Sequence, residues 1–290
     1  MPELPEVETI RIGLEKHLVG LIIVDIEVKL LRLFFGDKQH ILKTEIIGVE
    51  RYGKALVINF DNEYSLAIHV KMTGQLIFEE EEKGVKVSNP PRSAKLMGKL
   101  PNRYTHVIFL LSRTKRRDPS ATLFYNDIRQ FGWMKVVKTV DIKNLPFFRD
   151  LGPEPLKNLD LNMFNHIVKS GKGSIKPLLM EQKKIAGIGN IYANDALWLA
   201  QINPKRKALS LTYKEIENLY AAIESVLQKS ISLGGASETN FVNVLGQDGQ
   251  YQNHFLAYAR TGEACQRCSG KIKREAIGGR GTFYCPNCQI

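Results

Sequence analysis

The chain has 290 residues, of which 43% are apolar, and a formal net charge of +11. This is length enough for two domains, and apolar content enough for a proper core. No run of about 18 apolar residues occurs, which excludes a transmembrane helix, and no basic region followed by an apolar stretch marks a signal peptide, so the reducing cytoplasm is the expected compartment. The positive surplus points to a polyanionic partner, nucleic acid first, with a ribosome or membrane surface as alternatives.

The first nine residues, Met1-Pro-Glu-Leu-Pro-Glu-Val-Glu-Thr9, admit two readings. Pro5 and Glu6 suit the first turn of a helix, and Val7, Ile10, Leu14 and Leu18 continue it with amphipathic spacing. Capping does not account for Pro2. Removal of Met1 exposes a secondary amine with an ordinary pKa of roughly 8. Unlike a lysine, such an amine keeps a useful neutral fraction near pH 7 and can form a Schiff base with an aldehyde-level carbon. Glu3 and Glu6 are close enough in sequence to serve it as acid, base or positioning groups.

Strand-like runs follow at Leu21 to Val28 and Ile46 to Arg51. Ala55 to Phe60 and Tyr64 to Val70 read as a pair joined by Asp61-Asn62-Glu63. Further runs at Gly74 to Phe78, Tyr104 to Leu111, Thr122 to Tyr125 and Trp133 to Val137 suggest a sandwich of antiparallel strands. Four acids at Glu79 to Glu82 interrupt the pattern, and residues 86–117 then hold nine Lys or Arg and no Asp or Glu. Residues 83–103 read as a long mobile loop, solvated or touching a polyanion.

Pro146, Gly152, Pro153 and Pro155 mark a linker. Beyond it, Asn162 to Lys169, Ile175 to Gln182, Ile191 to Ala200 and Thr212 to Leu233 have helical spacing. Gly187-Ile-Gly-Asn190 lies between the second and third of these, so two helices meet at a Gly-containing turn. The start of the following helix offers free N–H groups to a phosphate, and Asn190 is expected at its cap with a side-chain amide to spare. The glycines also suit a mere tight crossing. The polar, small-residue stretch Gly234 to Asn253 reads as a flexible loop able to close over a ligand.

All four cysteines lie near the end of the chain, as Cys265-x2-Cys268 and Cys285-x2-Cys288. Two such knuckles on a hairpin supply the four sulfurs of a structural zinc site, the alternative being two disulfides. Four ligands leave no open position, so this Zn2+ would hold structure and do no chemistry. The hairpin between them carries Gly278-Gly-Arg-Gly281, a tight turn whose guanidinium suits a phosphate contact as well as solvent.

Taken in order, these features resemble the bacterial formamidopyrimidine-DNA glycosylases over essentially the whole chain. The resemblance rests on Pro2-Glu-Leu-Pro-Glu-Val-Glu-Thr9, Gly53-Lys54, His69-Val-Lys-Met-Thr-Gly74, Asp127-Ile-Arg-Gln-Phe-Gly132, Gly187-Ile-Gly-Asn-Ile-Tyr-Ala193 and the cysteine hairpin with Gly279-Arg-Gly-Thr282. It implies an α+β multidomain fold: an N-terminal β-sandwich with flanking helices over 1–137, a linker over 138–155, a helix–two-turn–helix domain over 156–255 and a four-cysteine zinc ribbon over 256–290. DNA would lie in the cleft between halves.

The implied activity is that of a bifunctional glycosylase and abasic-site lyase of base excision repair. It would excise oxidised purines, 8-oxoguanine and formamidopyrimidines, from double-stranded DNA and also act on abasic sites, as a monomer with one structural Zn2+ and no catalytic cofactor. A base inside a duplex is out of reach, so the nucleotide must be flipped out and the hole filled. By the resemblance Met72 and Phe131 wedge into the stack and Arg129 pairs with the orphaned base. Pro2 attacks the sugar C1′, Glu3 protonates the ring oxygen, Glu6 orients the terminus, and β- and δ-elimination follow. Lys54, His69, Asn190 and Arg280 would clamp phosphates, although a satisfied core position is the usual fate of a lone histidine.

Departures from the family pattern carry expectations of their own. Ile128 and Gln130 stand where the family usually has Pro and a second Arg, which predicts a looser insertion loop. Asp195 replaces a Glu, one methylene short, which predicts a weakened interdomain or pocket contact. The endonuclease VIII type, which excises oxidised pyrimidines, usually begins Pro-Glu-Gly-Pro-Glu; Leu4, Met72 and Phe131 argue against it. A catalytically silent damaged-DNA binder would be expected to lose Pro2, Glu3 or Lys54, and all three are present.

Overall fold

The computed structural model describes residues 1–80, 98–114 and 119–290. Much of the sequence-predicted loop 83–103, and part of the basic segment 86–117, lie outside the described residues. Two compact units emerge, one formed by Met1–Arg149 with Leu233–Gln252 and the other by Asp150–Ser232 with Asn253–Ile290. The segment 233–252, assigned from sequence to the helical half, therefore belongs with the first unit.

In the first unit the predicted helix forms as α1 (Leu4–Leu18), with Val7, Ile10, Leu14 and Leu18 buried along one stripe. Each contributes about 2 kcal/mol by leaving water. Glu3 is its N-cap and forms a capping box with Glu6, which satisfies two of the orphan N–H groups of the first turn. The strands are β1 (Ile22–Val28), β2 (Phe34–Phe35), β3 (Ile46–Tyr52), β4 (Ala55–Phe60), β5 (Tyr64–His69), β6 (Gly74–Glu80), β7 (Thr105–Ser112), β8 (Ala121–Asp127) and β9 (Trp133–Lys138). They make a four-stranded sheet, β1-β7-β8-β6, and a five-stranded one, β2-β9-β5-β4-β3.

Side chains from both sheets share one core with α1, including Ile26, Ile58, Leu66, Leu76, Phe109 and Leu123. The sandwich is antiparallel except for the two-residue β2, which pairs with β9 in parallel and is too short to leave a periodic signal. A smaller cluster of Ala55, Val57, Ala67, Ile142 and Phe148 includes a short helix α2 (Pro146–Arg149).

The segment 233–252 is a strap anchored in mid-span, with Phe241, Val242 and Val244 buried. Val244 O accepts from the Phe78 N–H at 2.7 Å, which covers the outer edge of β6. Its two ends meet through Gln250 N to Leu233 O and Tyr251 N to Gly235 O. A Cβ on Gly249 would stand 2.2 Å from Gly235 O, so only glycine permits this neck.

The second unit holds α3 (Leu161–Lys169), α4 (Ile175–Met180), α5 (Asn190–Leu199) and α6 (Tyr213–Ser232), then the hairpin β10 (Lys273–Ile277) and β11 (Arg280–Tyr284). Asp160 caps α3 by accepting from Met163 N at 2.8 Å. Trp198 on α5 packs with Ala257, Cys265, Ile272 and Cys285, joining the hairpin to the helices. Asp195 accepts the N–H groups of Ala257 and Tyr258, both at 2.9 Å and both within this unit. No helix among the described residues is long and apolar enough to cross a membrane.

Candidate active site

The N-terminus is built into the first unit. Met1 is exposed, while Pro2, Glu3 and Glu6 are buried. Glu6 divides its carboxylate: Oε2 accepts the Glu3 N–H and Oε1 accepts the Ala236 N–H of the strap, each at 2.8 Å. Both carboxylates lie where little water reaches them, with Glu3 4% and Glu6 1% exposed. The sequence neighbourhood of these three residues is carried into space, and the strap joins them.

Lys54 sits in the turn between β3 and β4, where Tyr52 and Ala55 pair and Gly53 takes φ +56°. A positive φ at the first central position is what a type II′ hairpin turn requires. This turn is tethered to α1: Arg51 donates to Glu8 Oε2 at 2.6 Å and to Gly53 O at 3.1 Å. Burial pushes the Glu8 carboxyl up, but Arg51 and then Arg11 hold it below its ordinary value, so the tether stays ionised.

His69 ends β5, buried beside Phe147 and Trp133 at ring distances of 4.9 and 5.9 Å. Its Nδ1 accepts the Lys71 N–H at 3.0 Å, which leaves Nε2 to carry the proton. Burial, helped by the charges of Lys71 and Lys54, pulls its pKa down to about 3. The ring is therefore a neutral donor near neutral pH.

Met72, Arg129 and Phe131 come together at two adjoining turns. Arg129 Nη1 lies 2.9 Å from Met72 Sδ, and its guanidinium sits 4.6 Å from the centroid of the Phe131 ring. Met72 and Phe131 are 40% and 55% exposed, so neither is a core residue. The turns are locked by Asp127, which has no exposed surface. It accepts from Thr73 Oγ1, from Arg129 N at 3.2 Å and from Gly132 N at 2.8 Å. Thr73 Oγ1 in turn accepts from Arg129 N at 2.9 Å.

Burial and the Asp127 carboxylate push the Tyr125 hydroxyl well above its usual range, so it remains a donor to Asp127. In this loop Gln130 takes φ +57° and accepts from Arg32.

In the second unit the N-cap of α5 is Gly189, and Asn190 is the first helical residue, one position beyond the cap expected for it. Its Oδ1 is already engaged by Lys176 Nζ at 2.7 Å, so the spare group is the Nδ2 amide. Lys176 has no exposed surface and also donates to Gly281 O at 3.0 Å and Thr282 Oγ1 at 2.8 Å. Three acceptors use all three ammonium protons. Arg280 is exposed and follows a hairpin turn in which Gly278 and Gly279 take φ +58° and +73°, the type I′ geometry. Sequence reasoning missed Lys176, whose one trace is a lone cation in the apolar run Ile175-Lys-Pro-Leu-Leu179.

The four cysteine sulfurs lie within 4.8 Å of one another, with Cys265 to Cys288 at 3.9 Å and Cys268 to Cys285 at 3.5 Å. Zinc–sulfur bonds of about 2.3 Å in a tetrahedron place sulfurs about 3.8 Å apart, so the donor set fits a structural zinc and leaves it no open position.

Three family models match in succession. The formamidopyrimidine-DNA glycosylase N-terminal domain covers residues 1–134, the formamidopyrimidine-DNA glycosylase H2TH domain covers 151–242, and the zinc finger found in FPG and IleRS covers 262–290. A formamidopyrimidine-DNA glycosylase from Pelotomaculum thermopropionicum is 40% identical over 100% of this chain and 99% of its own. Lactococcus lactis Fpg in complex with abasic-site DNA is 32% identical, with a TM-score of 0.85 over 99% of both chains. A mutant of that protein with a Fapy-dG containing DNA matches with the same identity, coverage and TM-score.

Proposed function

Because the chain belongs to the formamidopyrimidine-DNA glycosylase family, we propose that its Pro2 nitrogen, freed by removal of Met1, is the nucleophile of a combined glycosylase and abasic-site lyase. The chain is a DNA glycosylase of oxidised-base repair with a structural zinc. The observation that carries the chemical reading is the shared burial of Pro2, Glu3 and Glu6, with Glu6 fixing the Glu3 backbone through Oε2.

Pro2 nitrogen attacks the sugar C1′ as the bond from C1′ to the base breaks; the base leaves with the bonding pair and takes up the proton that the amine gives up. Glu3 delivers a proton to the ring oxygen, the ring opens, and an iminium links Pro2 to C1′. The iminium acidifies the C2′ proton; its loss expels the 3′ phosphate, and a second elimination expels the 5′ phosphate. Water then releases the sugar remnant and restores the amine. Glu6 orients the terminus throughout.

Double-stranded DNA carrying 8-oxoguanine, formamidopyrimidines or an abasic site is the proposed substrate. Met72 and Phe131 present exposed apolar side chains that suit filling the vacated stack, and Arg129 suits the orphaned base. Lys54, neutral His69, the Asn190 amide and Arg280 suit phosphates. The protein would work in the cytoplasm, on the nucleoid when bound to DNA.

The test is borohydride trapping on a duplex with one 8-oxoguanine opposite cytosine, with intact mass to establish the state of Met1. A covalent adduct of the des-Met chain mapping to Pro2 is expected. Tight binding to that duplex without an adduct from des-Met protein would replace the lyase reading with that of a silent damage binder.

A further inference from the structure

The strap 233–252 reaches the N-terminus through Ala236, whose N–H lies on Glu6. Four residues on, Asn240 O accepts from Gln75 Nε2 at 2.6 Å. Gln75 is 3% exposed and lies on β6 opposite Asn126, three positions after Met72. Beyond Asn240 the strap is fixed by buried Phe241, Val242 and Val244. Residues 236–240 run from Glu6, near which Ser237 is also tied to Gln252 and Gly249, to Gln75 and the core at the other end. A base leaving a sugar attacked by Pro2 departs next to the backbone that Glu6 holds.

We propose that Gln75 is a positioning residue for base excision, holding residues 236–240 in the shape that receives the flipped base. This rests on the lyase reading above. Gln75 acts through the backbone carbonyl of Asn240, a different part of the strap from the Ala236 N–H held by Glu6, so its role is separable from that of Glu6. An abasic site has no base to receive. Excision of a damaged base should then depend on Gln75, and strand cleavage at an abasic site should not.

Gln75→Met keeps the length of the side chain and removes the donor, whereas Gln75→Lys keeps a donor within reach of Asn240 O. Single-turnover excision of 8-oxoguanine by Gln75→Met should fall about tenfold, the loss of roughly one buried hydrogen bond, with cleavage of an abasic duplex within about twofold of the parent. Gln75→Lys should recover most of the excision. Hydrogen exchange in the free protein supplies a second readout, with faster exchange at Ala236 and Ser237 in Gln75→Met than in the parent. Equal losses on both substrates, or no loss on either, would overturn the proposal. A parent protein that leaves the abasic duplex intact would instead count against the lyase reading.

Discussion

Lys176 reaches Asn190 from a side chain with no exposed surface, its Nζ 2.7 Å from Asn190 Oδ1. The same nitrogen bonds Gly281 O and Thr282 Oγ1, so one ammonium orients the first residue of α5 and the strand that follows the hairpin turn. Lys176→Met should leave three acceptors, one buried and two half-buried, without this donor and cost about 3 kcal/mol, read as a lower unfolding midpoint. DNA affinity should also fall, with a shallower salt dependence, because Asn190 and Arg280 lose their common support. A variant with the parent's midpoint and affinity would refute the supporting role.

His69 bears on acid stability. Its pKa is about 3 in the fold, against 6.5 ordinarily. Between those values the unfolded chain binds the proton and the folded chain does not, so stability rises with pH. The contribution is fully present above pH 6.5 and drains away as pH falls toward 3, at about 1.4 kcal/mol per unit. Replacing His69 with Gln should flatten that part of the stability profile, measured by denaturant unfolding from pH 4 to 7. Since the ring is neutral throughout that range, any contribution it makes to DNA binding should not strengthen as pH drops from 8 to 6.

Phe131→Ala separates folding from recognition. The ring is 55% exposed, so the change in stability should stay within about 0.5 kcal/mol. If the ring fills the vacated stack, affinity for a lesion duplex should drop about tenfold or more while affinity for undamaged duplex changes little. Titrations of both duplexes at one salt concentration decide it.

Gly132→Ala is expected to be far more disruptive than its size suggests. A Cβ there would stand 1.7 Å from the Tyr125 hydroxyl and 3.0 Å from His69 O. Rearranging buried Tyr125 also disturbs Asp127, so a loss of about 3 kcal/mol in thermal unfolding is expected.

Zinc removal should act on one part of the chain. The Trp198, Cys265, Ile272 and Cys285 cluster depends on the knuckles, so chelation should free the amides of residues 262–290 to exchange and leave those of β4 and β5 protected. Uniform loss of protection would argue against a locally structural metal.

What could be read in the sequence was what short-range pattern controls. The stripe of α1, the apolar runs of β4 and β5 joined by a polar turn, the Gly-bearing turns at 53 and 278–279, and the cysteine pairs each declare themselves within about ten residues. Gln75 and Asn240 do not, because their bond joins residues 165 apart. The strap misled for a related reason. Its Gly, Ser, Asn and Gln content reads as flexible, whereas three buried apolar residues, Phe241, Val242 and Val244, decide its packing. Asp127 stood inside a quoted motif, but its four-way locking role depends on Thr73 arriving from another strand connection.

The first unit is discontinuous in sequence, and this sets an order of assembly. A growing chain that has completed β9 still lacks the strap, so the outer edge of β6 is bare and Glu6 has no Ala236 N–H to accept. Both are supplied only after Asp150–Ser232 has been synthesised. An N-terminal half cut short in translation therefore carries a bare strand edge, a feature that invites pairing with other chains. The buried N-terminal residues reach their finished surroundings only when the helical segment accompanies them.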